Sequence, residues 1–318
     1  MTLTKLAKLA NVSVSTASKA FLMSNEVNEE TREMIFAIAK ENGCFKKFFN
    51  AKYPNMVIAI ICPETISRFY SQFLLVLQRM LEEKGATVCM ASNNFSAMST
   101  EKMVKYYDRY SSVDGIIIIG EAQINSKDYE TPILTVLNSD DSNNASVGLN
   151  NYDAMQEAIE YFVKNGIDKI GFIGEKNTHG RENKLRLILE KLGKKDDKYF
   201  SISDKRFAIG GYEAMEKLFF NNSVPQALFC AYDYMAIGAI RCIADHNLSV
   251  PEDIKIISVD DIDEAEFLVP RLSSISEPTE EICACAVNKM LDMIFLNEFE
   301  KKTTFKSKLI LRESSKIN

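Results

Sequence analysis

The sequence predicts an α/β fold with a small helical head, and three observations carry that expectation. From Met56 onward, short apolar runs alternate with longer amphipathic stretches. That alternation marks buried parallel strands joined by right-handed helical crossovers. Before Met56 the apolar residues recur at helical spacing instead. The charge divides at the same place. Residues 1–55 hold eight Lys/Arg against five Glu, a balance of +3, while the rest of the 318-residue chain holds 30 basic and 39 acidic residues, a balance of −9. A basic head on an acidic body suits a phosphate-seeking module carried by a separate domain.

The head opens with "LAKLANVSVSTASKAF", Leu6 to Phe21. A first helix over roughly Lys5–Ala10 is followed by a turn at "NVS", because Asn11 tolerates a left-handed backbone better than most side chains. Val12 fills the space beneath the turn. Ser13 is placed to cap a second helix running from about Val14 to Leu22, so the "VSVS" alternation is a turn and a cap rather than a strand. Leu6, Ala10, Val12, Ala17 and Ala20 form the seam, and Ala7 allows close approach. The pattern is a helix-turn-helix, whose second helix enters the DNA major groove. Its outer face offers Val14, Ser15, Thr16, Ser18 and Lys19, which suit base edges, a thymine methyl and phosphates. A third helix follows, with Asn28 as cap and an apolar stripe of Met34, Ile35, Ile38 and Ala39.

These residues resemble the head of the lactose/galactose-repressor (LacI/GalR) family of transcriptional regulators. "TLTKLAKLANVSVSTASKAF" and "VNEETREMIFAIAKENG" carry the likeness. The resemblance implies DNA-facing roles for Thr2, Ser13, Val14, Ser15, Thr16, Ser18, Lys19, Asn28 and Thr31. The chain departs from the family at Asn11 (usually Gly), at Ala17 and Ala20 (usually larger), at Lys19 (usually Arg) and at Leu22 (commonly Asn). The family's hinge normally reads "GY-x-PNA-x-A-x-x-L" and wedges its leucine into the minor groove. Here "GCFKKFFNAKYPN" is about three residues shorter and lacks that leucine. Lys46, Lys47 and Lys52 are left to meet phosphates. Phe48, Phe49 or Tyr53 either replaces the wedge or packs the linker onto the body.

In the body the candidate strands are "VIAIIC", "TVCMAS", "GIIIIG", "PILTVL", "KIGFIG", "KYFSI", "ALFCA" and "IKIISV", with a last strand in "KSKLILRES". Helical stretches lie near 69–84, 99–110, 152–165, 181–192, 207–221 and 233–247. "VDGIII", "VGLNNYDA", "GYEAM", "VPEDIKIISVDDI" and "LSSISEP" continue the resemblance. It implies two doubly wound α/β lobes of the periplasmic-binding-protein type around a ligand cleft. The expected organisation is a head at 1–45, a linker at 46–56 and a body at 57–318. The body divides into lobes of about 57–149 and 150–270, with 271–318 crossing between them.

Open α/β sheets bind ligands at the carboxyl ends of their strands. The residues there are Phe69 and Tyr70, which suit stacking on a sugar ring, then Asn150, Arg181, Tyr232, Asp233 and Asp260. Arg181 and Asp260 match the family's effector arginine and aspartate, Tyr232 stands where the family has Asn, and Lys184 stands where it has Gly. Asp233 has a simpler role open to it, capping the helix it begins. An Arg/Asp/Asn set with aromatics suits a polar, ring-shaped ligand.

The expected function is a cytoplasmic, homodimeric repressor of sugar-utilisation genes, released from operator DNA by a small sugar. The alternatives are a global catabolite-type regulator and a purine-type repressor tightened by its signal. The sequence offers no enzyme site, cofactor or metal site. His179 and His246 lack evident partners, "IGEKNTHG" has neither the spacing nor the ending of a phosphate-binding loop, and "CAC" lacks the gap of a zinc knuckle. Seven cysteines, mostly in apolar stretches, read as buried thiols of a reducing compartment.

Overall fold

The computed structural model describes residues 1–21, 24, 26–49, 56–111, 113–138, 144–295 and 300–317. Leu22, the linker residues 50–55 (Lys52 and Tyr53 among them) and the side chains of Lys46 and Lys47 lie outside the described residues. The head comprises α1 (Leu3–Leu9), α2 (Val14–Phe21), α3 (Glu29–Glu41) and the single turn α4 (Phe45–Phe48). Then follow β1 (Val57–Cys62), α5 (Arg68–Glu83), β2 (Thr87–Ser92), α6 (Ala97–Tyr110), β3 (Gly115–Ile119), β4 (Ile133–Val136) and β5 (Ala145–Asn150). The chain continues with α7 (Tyr152–Lys164), β6 (Ile170–Glu175), α8 (His179–Lys191), β7 (Phe200–Ser203), α9 (Phe207–Phe220), β8 (Ala227–Cys230), α10 (Asp233–Asp245) and β9 (Lys255–Val259). It ends with β10 (Ser273–Ser276), α11 (Thr279–Phe295), β11 (Lys302–Lys306) and β12 (Lys308–Ile310). No helix among the described residues is long and apolar enough to cross a membrane.

Two compact units result. One is Met1–Gly148 with Thr279–Phe305; the other is Leu149–Pro278 with Lys306–Asn318. The second unit therefore extends past residue 270, because Ser273–Ser276 forms β10 and pairs in parallel with β9. The first sheet has the order β2-β1-β3-β4-β5-β11, with β1 to β5 mutually parallel. The second repeats the pattern as β7-β6-β8-β9-β10-β12, with only β12 shown antiparallel to its neighbour. Both are doubly wound orders, in which the strand order reverses beside the first strand and ligands approach the carboxyl ends. The central strands are β-branched and buried, Ile58–Cys62 and Ile116–Ile119 in one sheet and Ile256–Val259 in the other. Covered on both faces, such strands gain burial at about 25 cal/mol per Å² of apolar surface.

Every strand and helix expected from periodicity is present within a few residues. Among the described residues five elements were not expected: α4, β5, β10, β11 and α11. β10 carries Ser273 and Ser274, whose hydroxyls are buried and bonded, as in Ser273 Oγ with Ser315 Oγ at 2.7 Å. In α11 the buried set includes Ile282, Cys283, Ala286, Val287, Lys289, Met290 and Leu291, which spreads around most of the helix and blurs its stripe. Lys289 is tolerated there because Nζ donates to Ser146 O (3.1 Å) and Thr303 Oγ1 (2.9 Å); burial lowers its pKa.

In the second unit α9 and α10 touch backbone to backbone. A Cβ on Gly211 would lie 2.0 Å from Met235 O, and one on Gly238 would lie 1.8 Å from Ala208 O. Glycine is required at both places for this approach. The "GG" of "FAIGGYEAM" is thus a packing device.

Candidate functional site

The head is built around Leu6, Ala7, Ala10, Ala17, Ala20 and Phe21, all buried. Asn11 takes φ +52°, the left-handed turn its residue type permits. Thr2 caps α1 through Lys5 N at 3.3 Å, and Ser13 Oγ accepts from Thr16 N at 2.9 Å. Asn28 Oδ1 accepts from Thr31 N at 2.8 Å. Thr2, Ser13 and Asn28 therefore sit at helix starts, where amides and hydroxyls of the first turn suit phosphate oxygens. Val14 and Ser15 are exposed at the start of α2, with Thr16, Ser18 and Lys19 half-buried along it. Lys19 Nζ pairs with Glu26 across the surface. Such an exposed pair is worth at most about 1 kcal/mol, so a phosphate or base competes for the lysine at little cost.

One expectation about the head needs correcting. Met34 is exposed, whereas Phe36 faces inward; the buried stripe of α3 runs through Arg32, Ile35 and Ala39. Phe45 and Phe49 are buried and, with Phe48, join Phe21 and Phe36 in an aromatic cluster. Phe45 also stacks on Phe295 at 5.1 Å, and Lys40 Nζ reaches Asp114 Oδ1 at 3.2 Å. Of the two roles left open for the linker aromatics, packing against the rest of their unit is the one seen for Phe48 and Phe49.

Arg32 is the head residue whose structural role was missed. It is buried, and Nη2 donates to Ser24 O (3.0 Å) and Val27 O (2.9 Å) while Nη1 meets Glu29 Oε2 (3.2 Å). It staples the loop between α2 and α3. Removing a buried charged donor leaves carbonyls unsatisfied, at roughly 1–3 kcal/mol each. Arg32→Ala is expected to speed amide hydrogen exchange in residues 24–32 by at least about tenfold, with exchange in β8 and β9 unchanged.

In the second unit the expected residues gather after the carboxyl ends of the parallel strands. Arg181 lies in the first turn of α8 after β6, Asp233 opens α10 after β8, and Asp260 follows β9. Arg181 Nη2 meets Asp260 Oδ1 at 2.9 Å and Nη1 donates to Ala231 O at 2.6 Å. Their side chains are 20% and 9% exposed. The backbone of Asp260 takes φ +106°, fixed by Asp260 N to Ile275 O (3.0 Å) and Asp261 N to Ser274 Oγ (3.1 Å). Such strain costs on the order of 1–3 kcal/mol and aims the carboxylate. Burial raises the Asp260 pKa to about 6, against the pull of Arg181.

Asp233 is fully buried and does not cap its helix. It accepts from Ser258 Oγ, from Ser274 Oγ (2.7 Å) and from Ile262 N (2.8 Å), tying α10 to β9, β10 and the loop that carries Asp260. Burial, with repulsion from Asp260 second, raises its pKa to about 7. Tyr232 is also buried; its hydroxyl accepts from Phe207 N at 2.9 Å, supporting a φ of +61° at Phe207. Both side chains are spent on positioning their neighbours. Asn150 Oδ1 accepts from Tyr152 N (2.9 Å) at the start of α7, and Asn151 Oδ1 accepts from Lys184 Nζ (2.9 Å), the lysine that replaces the family's glycine.

Glu277 was not foreseen. It follows β10, and its carboxyl oxygens are buried. Burial first, then repulsion from Asp260, raises its pKa to about 8, while Arg181 opposes the shift. The signal available in "SISEP" was an acid one residue past a strand end. In the first unit, Phe69 and Tyr70 open α5 after β1, half-buried, with ring centroids 4.9 Å apart; Tyr70 lies 6.0 Å from Phe95.

Comparison with known proteins agrees with this geometry. Residues 2–43 match bacterial regulatory proteins of the lacI family, and residues 159–315 match the periplasmic binding protein-like domain. The chain is 29% identical over 313 residues to the probable HTH-type transcriptional repressor ExuR of Bacillus subtilis (strain 168), covering 92% of each chain. The fold is similar to that of the lac repressor dimer bound to operator and the anti-inducer ONPF (TM-score 0.75, 20% identity, 99% of each chain). It is also similar to the transcriptional regulator CelR in its cellobiose complex (TM-score 0.70, 23% identity, 99% of this chain and 100% of that one). A lacI-type head, a periplasmic-binding-protein-like body and similarity along nearly the full length together place this chain in the lacI family of DNA-binding transcriptional regulators.

Proposed function

We propose that this chain is a homodimeric repressor whose heads hold operator DNA and whose second unit binds a small, neutral, hydroxyl-rich effector that releases it. The observation that carries the effector reading is the Arg181–Asp260 pair at the carboxyl ends of the second sheet. A carboxylate with one lone-pair site committed to Arg181 keeps acceptor capacity for ligand hydroxyls. The surroundings argue for a neutral ligand. Arg181 stands beside Asp260, with Glu277 and Asp233 nearby; burial raises all three carboxyls, and repulsion from Asp260 adds to the shifts of Glu277 and Asp233. An anionic ligand would bring a second negative charge against Asp260 in a buried site, whereas sugar hydroxyls donate to it without adding charge. That CelR binds cellobiose is consistent with this class.

The test is release of the protein from a mapped operator, followed by fluorescence anisotropy, across a panel of neutral sugars and uronates, cellobiose among them. Release by a neutral sugar is expected; release by uronates alone would overturn the neutral class. Lys19→Ala is expected to weaken operator binding by roughly 1–3 kcal/mol. Affinity should fall steeply with salt as phosphate contacts release counterions. A single head offers too small a surface for tight specific binding, so two heads should meet a palindromic site. Sedimentation at micromolar protein is expected to give a dimer.

A further inference from the structure

We propose that Glu216, Cys242 and His246 form a Zn²⁺ site that cross-links the C-terminal ends of α9 and α10. The effector reading uses none of the three. Their donor atoms lie within 4.8 Å of one another. Glu216 Oε2 is 3.3 Å from Cys242 Sγ and 3.6 Å from His246 Nε2. Sulfur, nitrogen and oxygen ligands on one tetrahedral Zn²⁺ stand roughly 3.3–3.6 Å apart, from bond lengths of about 2.3, 2.05 and 2.0 Å. The two separations from Glu216 already match that spacing, and the sulfur lies 3.9 Å from His246 Nδ1.

The surrounding groups set the donors. His246 Nδ1 lies 3.0 Å from Cys242 O. A carbonyl only accepts, so Nδ1 carries the hydrogen and the Nε2 lone pair turns toward Glu216. Histidine ligands of metals commonly give their second N–H to such a carbonyl. Phe219 stacks on the imidazole with centroids 3.9 Å apart and planes 7° from parallel, which fixes the ring. The helices themselves are held by the glycine contacts at Gly211 and Gly238. Cys242 is one helical turn beyond Gly238 and His246 one turn beyond Cys242, so both fall on the same side as the crossing.

Sulfur beside imidazole and carboxylate is a borderline donor set, which selects Zn²⁺ over Mg²⁺ or Ca²⁺. On binding, the Cys242 thiol proton leaves to solvent and the thiolate takes its place on the metal. The side chains of Glu216 and His246 are 51% and 33% exposed, which gives the ion a path in and leaves the fourth position to water. The sequence hid this arrangement because Glu216 lies 26 residues from Cys242, and only the helix pairing brings them together.

The test uses full-length protein, stripped with chelator and kept reduced, titrated with zinc chloride against a chromophoric chelator. One Zn²⁺ per chain is expected, and Co²⁺ in its place should give a thiolate-to-cobalt charge-transfer band. Cys242→Ser should remove the band. Glu216→Gln, a surface change that leaves folding intact, should weaken binding at least about tenfold. No binding, or binding and a cobalt band unchanged in Glu216→Gln and Cys242→Ser, overturns the site.

Discussion

Asp233→Ala is expected to lower the stability of the second unit by about 3 kcal/mol at pH 5, and by less at pH 8. The substitution strips acceptors from two buried serine hydroxyls and the Ile262 amide, each an unsatisfied donor costing roughly 1–3 kcal/mol, offset where a serine turns to a new partner. For a unit of this size that loss corresponds to a fall of about 6–12 °C in its unfolding midpoint. The pH dependence follows from the raised pKa. Asp233 titrates near 3.8 when unfolded and at about 7 when folded. Between those values the folded state holds the extra proton, so the stability this group contributes is complete below about pH 4 and is lost as pH rises to about 7. The slope is at most about 1.4 kcal/mol per pH unit. The variant lacks that slope, so its deficit shrinks toward pH 8. Calorimetric scans of both proteins at pH 5, 6, 7 and 8 check this. A deficit that stays constant from pH 5 to 8 would show that Asp233 is charged throughout.

The same residue shows where the sequence was legible and where it was not. Its position after β8 follows from chain order and strand pattern alone, because a buried parallel strand ends where its apolar run ends. Its partners do not. Ser258 and Ser274 sit in strands whose neighbours are apolar, and a serine in "KIISV" or "SSIS" gives no sign that its hydroxyl points at an acid 25 or 41 residues away. The head was legible almost to the residue, since Asn11, Ser13 and Asn28 are local signals whose partners lie within three residues. Arg32 was passed over for the opposite reason: a charged residue in a helix reads as surface until the loop it staples is folded against it. α11 was missed because burial on most of its circumference erases the periodicity that betrays a helix. Arg181 and Asp260 were each expected to meet a ligand. The structure adds that they meet each other, a fact that depends on two strand ends brought side by side.

That pairing decides the other large effect. Asp260→Ala is expected to abolish release by the sugar that frees the wild type from its operator, with operator affinity unchanged to within about threefold. The carboxylate is aimed by a backbone at φ +106° and by Arg181, and alanine leaves no acceptor at that place. A hydrogen bond to a charged group contributes roughly 1.5–3 kcal/mol, and the loss also removes one of the partners that hold Arg181 in place. Together these exceed the tenfold change that about 1.4 kcal/mol represents. A ligand moves the equilibrium between DNA-bound and released forms only by its differential affinity for them, so a variant that no longer holds the ligand no longer responds. Asp260→Asn keeps an acceptor for Arg181 and should retain a weakened response, which separates lost ligand contact from a disturbed loop. The measurement is operator anisotropy at increasing sugar for the three proteins. If Asp260→Ala is released at the wild-type sugar concentration, the effector binds elsewhere. If the wild type binds its operator more tightly with the sugar present, the sign of the switch is reversed and the ligand is a corepressor.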